Sequence, residues 1–321
     1  IVFGDWSSDV CSSDLVLVQQ NIDSWAADGE IKALEISIRL AREAIERAGR
    51  KPDVILFSET VLRRDYDDFR NSFRRIPLSD PLIPFLERQD TRLFTGAPEV
   101  FEVDGQLEAT NSAILIGPDG KKEGSYAKMH PVPFAEAIPF WEYDIFRRFI
   151  QETVGLSSGW TMGSERVVFE LPSEQAGTVR FSAPICFEDA FSYLNRLYVL
   201  DGAELLVNLT NDSWSMTRSA EIQHFVAARF RSVELRRTLV RSTNGGVTAV
   251  VHPDGTVHDM LPLFQEASAF VDIPVYTDET TPYLLWGDWF PALLAFFLAA
   301  AALILFIDEI VAARARQARR S

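Results

Sequence analysis

The chain reads as an α/β domain that runs into one apolar C-terminal helix able to span a membrane. Three observations lead to that class. Short β-branched and aromatic runs alternate with stretches of helical period from residue 16 onward. No linker rich in Gly, Pro or Ser breaks the series, so the alternation belongs to a single domain. Phe290 to Ile307, FPALLAFFLAAAALILFI, then carries no charge over 18 residues, which at ~1.5 Å per residue covers roughly the hydrocarbon thickness of a bilayer.

Composition narrows the field. A length of 321 residues allows a sizeable core, and 47% hydrophobic with 24% charged residues excludes a disordered or collagen-like chain. Lys plus Arg number 31 against 46 Asp plus Glu, giving a net charge of −15. That balance argues against nucleic acid as a partner, because phosphate binding rests on basic patches. A mean hydropathy of +0.01 is high for so acidic a chain and reflects the apolar C-terminal run.

Taken in order, the elements begin after an anomalous leader. Asp5 to Leu15, DWSSDVCSSDL, is polar, repeats SSD and has neither a helical nor a strand period. One reading frame of a widely used sequencing-library adapter translates to the same peptide, so residues 1–15 are expected to be an adapter artefact outside the fold. Cys11 then belongs to the artefact and Cys186 is the one natural cysteine, which excludes a disulfide framework. VLVQQNI (Val16–Ile22) is a strand, and Ile31 to Ala48 has helical spacing with Gly49 as its stop. DVILFSE (Asp53–Glu59) is an apolar strand ending in a carboxylate. RLFTGAPEV and NSAILIGPDG follow, the latter closed by the turn signal Pro118-Asp119-Gly120. VVFEL, VRFSAPICFE, ELLVNLTND, TLVRSTNGG and VTAVVHPDG read as later strands, and Glu221 to Glu234 as a helix. The domain therefore occupies 16–276, a connector 277–289, the membrane helix 290–307 and a basic tail 308–321. Trp286 and Trp289 stand at the start of the span, and Arg314, Arg316, Arg319 and Arg320 follow it. Basic flanks mark the cytoplasmic side, which puts the domain outside the cytoplasm. A buried core helix is the competing reading of the apolar run; its position at the chain end and its apolar character all round argue against it.

Three residues draw attention individually. Glu59 ends a buried strand, where α/β proteins place site residues, although a capping or surface glutamate reads the same way. Lys128 sits in YAKMHPVPFAEAIPF, and alone would be a solvated lysine. Cys186 follows the apolar VRFSAPI and precedes Phe187-Glu188-Asp189; alone it would be an inert buried thiol. Gly155-Leu156-Ser157-Ser158-Gly159 matches GxSxG but lacks the leading strand of a nucleophile elbow. Asn208-Leu209-Thr210 matches a glycosylation acceptor but lies in an apolar strand and is read as structural. The four histidines are scattered and no metal-ligand spacing occurs, so no metal is expected.

The order of motifs changes this reading. VQQNIDSW, FSET, TGAPE, NSAILIGPDG, YAKMHPVPFAEAIPF, ICFE, NLTNDSW, QHFVAARFRSVELRRTLVRSTNGG and TPYLLWGDWF occur in one series from Val16 to Trp289. Together they resemble the nitrilase (C–N hydrolase) superfamily and, within it, the apolipoprotein N-acyltransferases. The resemblance implies a nitrilase-like α-β-β-α sandwich followed by one transmembrane helix. It implies Cys186 as nucleophile, Glu59 as general base and Lys128 as the cation at the oxyanion. Glu136, Glu188, Asn111 and Trp25 fall on further positions the family uses, and Trp214 would line an acyl pocket. It also implies a phospholipid acyl donor, a diacylglyceryl-apolipoprotein acceptor, no cofactor, a monomer, and a bacterial inner membrane with the catalytic domain on the periplasmic side. Two departures stand out: Phe187 where the family usually has Tyr, and Ala135 where it has Gly. The first removes a hydroxyl and the second stiffens the loop.

Elementary chemistry fits those roles. A thiol near pKa 8.5 needs a base or a cation to react at neutral pH. A carboxylate raised by burial can take its proton, and a fixed ammonium can hold the oxyanion. A membrane-anchored nitrilase-type amidase and a degenerate, non-catalytic binding module are the alternatives. The QHF…RSTNGG block and GDWF count against the first, and intact Glu59, Lys128 and Cys186 against the second. The leader carries its own test: amplification of the locus from genomic DNA should return no codons for Asp5–Leu15, and finding them there would overturn the adapter origin.

Overall fold

Strand β1 (Cys11–Gln19) is buried along most of its length, the mark of a strand inside a sheet covered on both faces. The computed structural model describes residues 11–23, 29–74, 80–133, 136, 143, 148, 159–277 and 279–318. β1 pairs antiparallel with β12 (Ala267–Val275) and parallel with β2 (Val54–Leu56). β3 (Arg92–Val103), β4 (Gln106–Ile116) and β5 (Lys122–Ala127) complete a six-stranded mixed sheet, ordered β12-β1-β2-β3-β4-β5. The second sheet takes β6 (Phe169–Ser173), β7 (Gly177–Ser182), β8 (Leu205–Thr210), β9 (Thr238–Thr243), β10 (Ala249–Val251) and β11 (Val257–His258) in the order β11-β10-β9-β8-β7-β6. Its central pairs β7–β8 and β8–β9 are parallel.

The sheets meet face to face. Phe94 of the first stacks edge-on against Phe169 and Phe181 of the second, with ring centroids 5.1 Å apart in both cases. The Ser242 hydroxyl lies 3.1 Å from the carbonyl of Val18 and 3.2 Å from that of Leu56 across the interface. Helix α1 (Gly29–Ala48) covers the first sheet with Ala33, Leu34, Ile38, Ala41 and Ala44, one stripe at helical spacing. A fully buried leucine such as Leu34 contributes about 2 kcal/mol there. Helices α2 (Tyr66–Arg74) and α3 (Ile83–Gln89) lie in the crossover between β2 and β3. Helices α4 (Ser192–Leu200) and α5 (Arg218–Leu235) belong to the second layer, α5 burying Phe225, Ala228, Ser232 and Leu235. The result is an α-β-β-α sandwich.

Several expectations need correction. The first strand starts at Cys11, not Val16, so the stretch that shows no strand period is paired from Cys11 to Leu15 with Val275 to Val271. Backbone pairing is indifferent to side-chain period, and β12 is long enough to supply partners. Side chains there are held too: the Ser13 hydroxyl donates to Asp53, and Arg50 pairs with Asp14 at 2.7 Å. β5, β11 and β12, with α2, α3 and α4, were not anticipated from the pattern. The second compact unit, Thr280–Ser321, holds α6 (Pro282–Trp286) and α7 (Trp289–Ala318). Thr281 caps α6 by accepting from the Leu284 amide at 2.9 Å. α7 is 30 residues long, has a mean hydropathy of 2.7 over its most apolar 18-residue window and buries none of its side chains. By length and composition it can cross a membrane. It runs past Ile307, so the tail from 308 is helical as far as Ala318.

Strand β2 delivers its chain to the site through a close contact. The Gly96 amide donates to the Ser58 carbonyl at 3.2 Å, and a Cβ on Gly96 would stand 1.9 Å from the carbonyl oxygen of Glu59. Only glycine lets β3 pass that close. Gly96→Ala should lower stability by about 1–3 kcal/mol through overpacking. Urea unfolding measures it, and an unchanged midpoint would show that the Glu59 segment yields freely.

Candidate active site

Cys186 owes its position to a broken strand. β7 stops at Ser182, and Pro184 has no N–H to continue a ladder. Ile185 keeps one isolated parallel bridge to Leu209, after which Cys186 opens a 3-10 turn that ends at Ala190. The expected run of strand to Glu188 is thereby corrected. Cys186 has a φ of 49°, the left-handed region, at a cost of about 1–2 kcal/mol for a residue with a Cβ. Asn208 holds the turn by donating from Nδ2 to the carbonyls of Pro184 (2.9 Å) and Cys186 (3.1 Å). That is what the buried Asn208 does, in keeping with its structural reading.

Glu59, Lys128 and Cys186 come together at one end of the two sheets. Glu59 follows β2, Lys128 follows β5 and Cys186 follows β7. Lys128 is 2% exposed, and its Nζ lies 3.3 Å from Glu59 Oε1 and 2.8 Å from the Glu136 carboxylate. Asn111, on β4, donates from Nδ2 to Glu59 Oε1 (2.8 Å) and to Glu136 Oε1 (3.1 Å). The Asn211 amide donates to Glu59 Oε2 at 2.9 Å. Burial pushes the Glu59 carboxyl above its usual range, with Lys128 opposing. For Lys128 burial works against the charge, but Glu59 first, with Cys186 and Glu136, outweighs it and raises its pKa; at neutral pH, where Cys186 is a thiol, the two carboxylates keep the ammonium. Burial also drives the Cys186 thiol up, Glu59 adding to the rise and Lys128 countering it. At neutral pH the site therefore holds a thiol, a buried carboxyl and a fixed cation. Such a thiol reacts only when its proton has somewhere to go.

Glu188, two residues beyond the cysteine, is fully buried. Its Oε1 accepts from the Tyr126 hydroxyl (2.8 Å) and the amides of Met129 (2.7 Å) and His130 (3.0 Å), while Oε2 accepts from the Ile185 amide (2.8 Å). One carboxylate thus ties the Lys128 loop to the Cys186 turn. Burial raises it to about 7 in spite of those donors. Phe187 packs edge-on against Phe191 at 5.0 Å.

Of the residues expected at the site, Glu59, Lys128, Cys186, Asn111 and Glu136 form one cluster, with Glu188 behind it. Trp25, Ala135 and the side chain of Trp214 lie outside the described residues, as do residues 155–158 of the GxSxG match. Sequence reasoning missed Asn211, Gly96, the buried ions Asp189, Asp212 and Arg241, and the partly buried His224 beside them. A fully buried Arg241 inside the apolar run TLVRST was the one available signal. Among the described residues no group of His, Cys, Asp and Glu is arranged to hold a metal.

Comparison with known proteins identifies the family of the chain. Residues 16–282 match the carbon-nitrogen hydrolase family. The chain is 43% identical to apolipoprotein N-acyltransferase 2 of Treponema denticola over 283 residues, covering 88% of this chain and 53% of that protein. It is 37% identical to apolipoprotein N-acyltransferase 2 of Treponema pallidum, covering 92% and 56% respectively. The chain thus spans about half the length of the curated relatives it matches. Among solved structures it is similar to an amidase from Nesterenkonia sp. AN1 that carries a covalently added acetamide moiety at its active-site cysteine. That match has a TM-score of 0.57 and 17% identity, covering 87% of this chain and 98% of the other. The NitFhit protein of C. elegans gives a TM-score of 0.59 at 16% identity, covering 89% and 64%. These likenesses give the sandwich as a nitrilase-like fold.

The carboxylate that joins the two loops can be probed directly. Glu188→Gln turns an N–H donor toward groups that already donate, so it should lower stability by about 1–3 kcal/mol at pH 8. The loss should be larger near pH 5.5 than at pH 8, because a carboxyl raised to about 7 in the fold contributes most when protonated and loses stability as pH rises through about 7, whereas Gln does not titrate. Urea unfolding at both pH values checks this; an equal loss at both would detach the effect from ionisation.

Proposed function

The chain belongs to the carbon-nitrogen hydrolase family, and from that premise we propose that it is the catalytic part of an apolipoprotein N-acyltransferase. In this reading it moves a fatty acyl chain from a membrane phospholipid, through a thioester on Cys186, to the α-amine of diacylglyceryl-cysteine in an apolipoprotein. The observation that carries it is the buried Glu59 carboxyl shared between Lys128 and two asparagines, with Glu59 and Lys128 pulling the Cys186 thiol in opposite directions. The 43% identity to an enzyme of that name supports the acyl-transfer assignment.

The steps follow from the groups present. Glu59 takes the thiol proton as Cys186 Sγ bonds to the ester carbonyl carbon, and the C=O π electrons move onto the carbonyl oxygen, an oxyanion beside Lys128 Nζ. Collapse expels the lysophospholipid alkoxide, which takes the proton back from Glu59. The amine then attacks the thioester, Glu59 accepts its proton, and the departing Cys186 sulfur recovers it. Burial suits Glu59 to both directions, because raising the carboxyl brings its proton affinity closer to those of the groups it exchanges with. Asn111 and the Asn211 amide fix its two oxygens, and Glu136 holds Lys128 from the other side. Trp25 and Trp214 are assigned to substrate contact and Glu188 to positioning. No cofactor or metal enters, and the protein acts as a monomer. Residues 16–276 form the catalytic domain, with α7 as its anchor in the bacterial inner membrane. The arginines that follow the span support a periplasmic position for the domain in this reading.

Two measurements test the reading. Incubation of the full chain with phospholipid should add one acyl chain to its intact mass, and Cys186→Ser should carry no thioester and transfer nothing; transfer by that variant would rule out this nucleophile. Lys128→Arg should slow acyl-enzyme formation by about 10²–10³, because a planar guanidinium cannot take the place of a compact ammonium at one point. A drop below about tenfold would leave Lys128 only a contribution to the general field.

A further inference from the structure

Behind the Cys186 turn lies a second buried ion cluster that the proposed chemistry does not use. Arg241 on β9 is fully buried; its Nε donates to Asp189 Oδ2 (3.1 Å) and Asn208 Oδ1 (3.2 Å), and its Nη2 to Asp212 Oδ2 (3.4 Å). His224 on α5 closes the ring, with Nε2 2.9 Å from Asp189 Oδ1 and Nδ1 2.8 Å from Asp212 Oδ1. Both carboxylates are therefore bound twice, once by each cation. The cluster reaches the reacting groups by two short routes. Asp189 sits in the turn that Cys186 opens, and Asn208 passes from Arg241 to the Cys186 carbonyl. Asp212 follows Asn211, whose amide holds Glu59.

We propose that His224, protonated on both nitrogens between Asp189 and Asp212, is a positioning residue that sets the Cys186 turn and the charge behind the thiol. Two carboxylates against one guanidinium leave a net negative charge; the imidazolium brings the four groups to neutrality. Arg241 Nη2 stands 3.3 Å from His224 Nδ1, and the carboxylates between them are what allow two cations so close. Burial pulls the His224 proton off, but Asp189 and Asp212 outweigh it and raise the pKa to about 9. The other charged groups facing the cluster do not cancel that effect. Glu221, on the same helix, is raised by burial to about 7 and accepts from Ser215, and Arg231 donates to the Ala190 carbonyl and pairs with Glu234. Cys186 itself is sensitive to this side, since Asp212 adds to the rise of its thiol pKa. Loss of the His224 proton leaves that carboxylate partly uncovered, so thiolate becomes harder to form and Asp189 loses a tie.

The sign follows from linkage. The proton is bound more tightly in the folded chain than at the ordinary value of 6.5, so the contribution is full below about 6.5 and is lost as pH rises through about 9.

The inference takes Cys186 as the reactive thiol, as proposed above, but its test needs no acyl donor. Iodoacetamide alkylation of Cys186 is followed by peptide mass from pH 6 to 10.5 in the full chain, which separates it from the exposed Cys11. His224→Gln should react about tenfold more slowly than the wild type below pH 8, about one pKa unit on the thiol. The ratio should fall toward one above pH 10, where the wild type has lost the same proton, and His224→Lys should recover much of the rate at neutral pH. A ratio of one throughout, or a constant ratio at every pH, would overturn the proposal, the latter because a merely structural histidine gives it. If both variants fail to fold, amide exchange in the wild-type segment 186–190 decides: protection lost through about pH 9, after correction for intrinsic exchange, supports the role, and unchanged protection removes it. A chain that alkylates as expected but transfers no acyl group would refute the acyltransferase reading alone.

Discussion

The carboxylate of Glu188 is the joint on which the site depends. The loop after β5 and the turn after β7 belong to different sheets, so nothing in either ladder sets their separation. Glu188 sets it, because the Tyr126 hydroxyl on β5, two amides of the loop after it and one amide of the second segment converge on its two oxygens. Buried donors left without acceptors are expensive, so the two segments cannot drift apart without losing several bonds together. Lys128 and Cys186 inherit their spacing from that constraint. The Tyr198 hydroxyl, which donates to that of Tyr126 at 2.5 Å, extends the same chain of bonds to α4.

Electrostatics divides the interior into two ionic groups with the thiol between them. In front, one ammonium serves two carboxylates; behind, two cations serve two carboxylates. Taking so many charges out of water is unfavourable, and apolar packing of equal volume would give a more stable fold. What the ions supply is geometry: each has a fixed partner, and the asparagines at 111, 208 and 211 bind them to backbone. Asn208 and Asn211 lie within one short segment, so the end of β8 serves both groups.

Sequence pattern carried the architecture as far as local signals reach. Alternating strands and helices, Glu59 at the end of an apolar run, and the ordered motifs around Lys128 and Cys186 were all legible. β12 was not, since ASAFVDIPV mixes polar and apolar residues and becomes a strand by pairing with β1, far away in the chain. The cysteine turn was read as strand because its apolar run continues through Ile185; Pro184, the Glu188 carboxylate that takes the Ile185 amide, and Asn208, which holds the Pro184 and Cys186 carbonyls, together make a turn the better outcome. Buried charges were the hardest to see. Asp189 and Arg241 look solvated in one dimension, and their partners come from four separate segments. Asn111 and Glu136 were found through resemblance, and Asn211, one residue before Asp212, was passed over although it sits in a quoted motif.

The left-handed backbone at Cys186 has a consequence for how this position tolerates change. Glycine is the residue that conformation prefers, so at the proposed nucleophile the demand of folding and the demand of chemistry point to different amino acids. Selection for stability alone favours losing the thiol; under the proposed role, its reactivity is the counterweight. In a lineage released from that requirement, Cys186 is where decay should begin, ahead of the well-packed core beneath it.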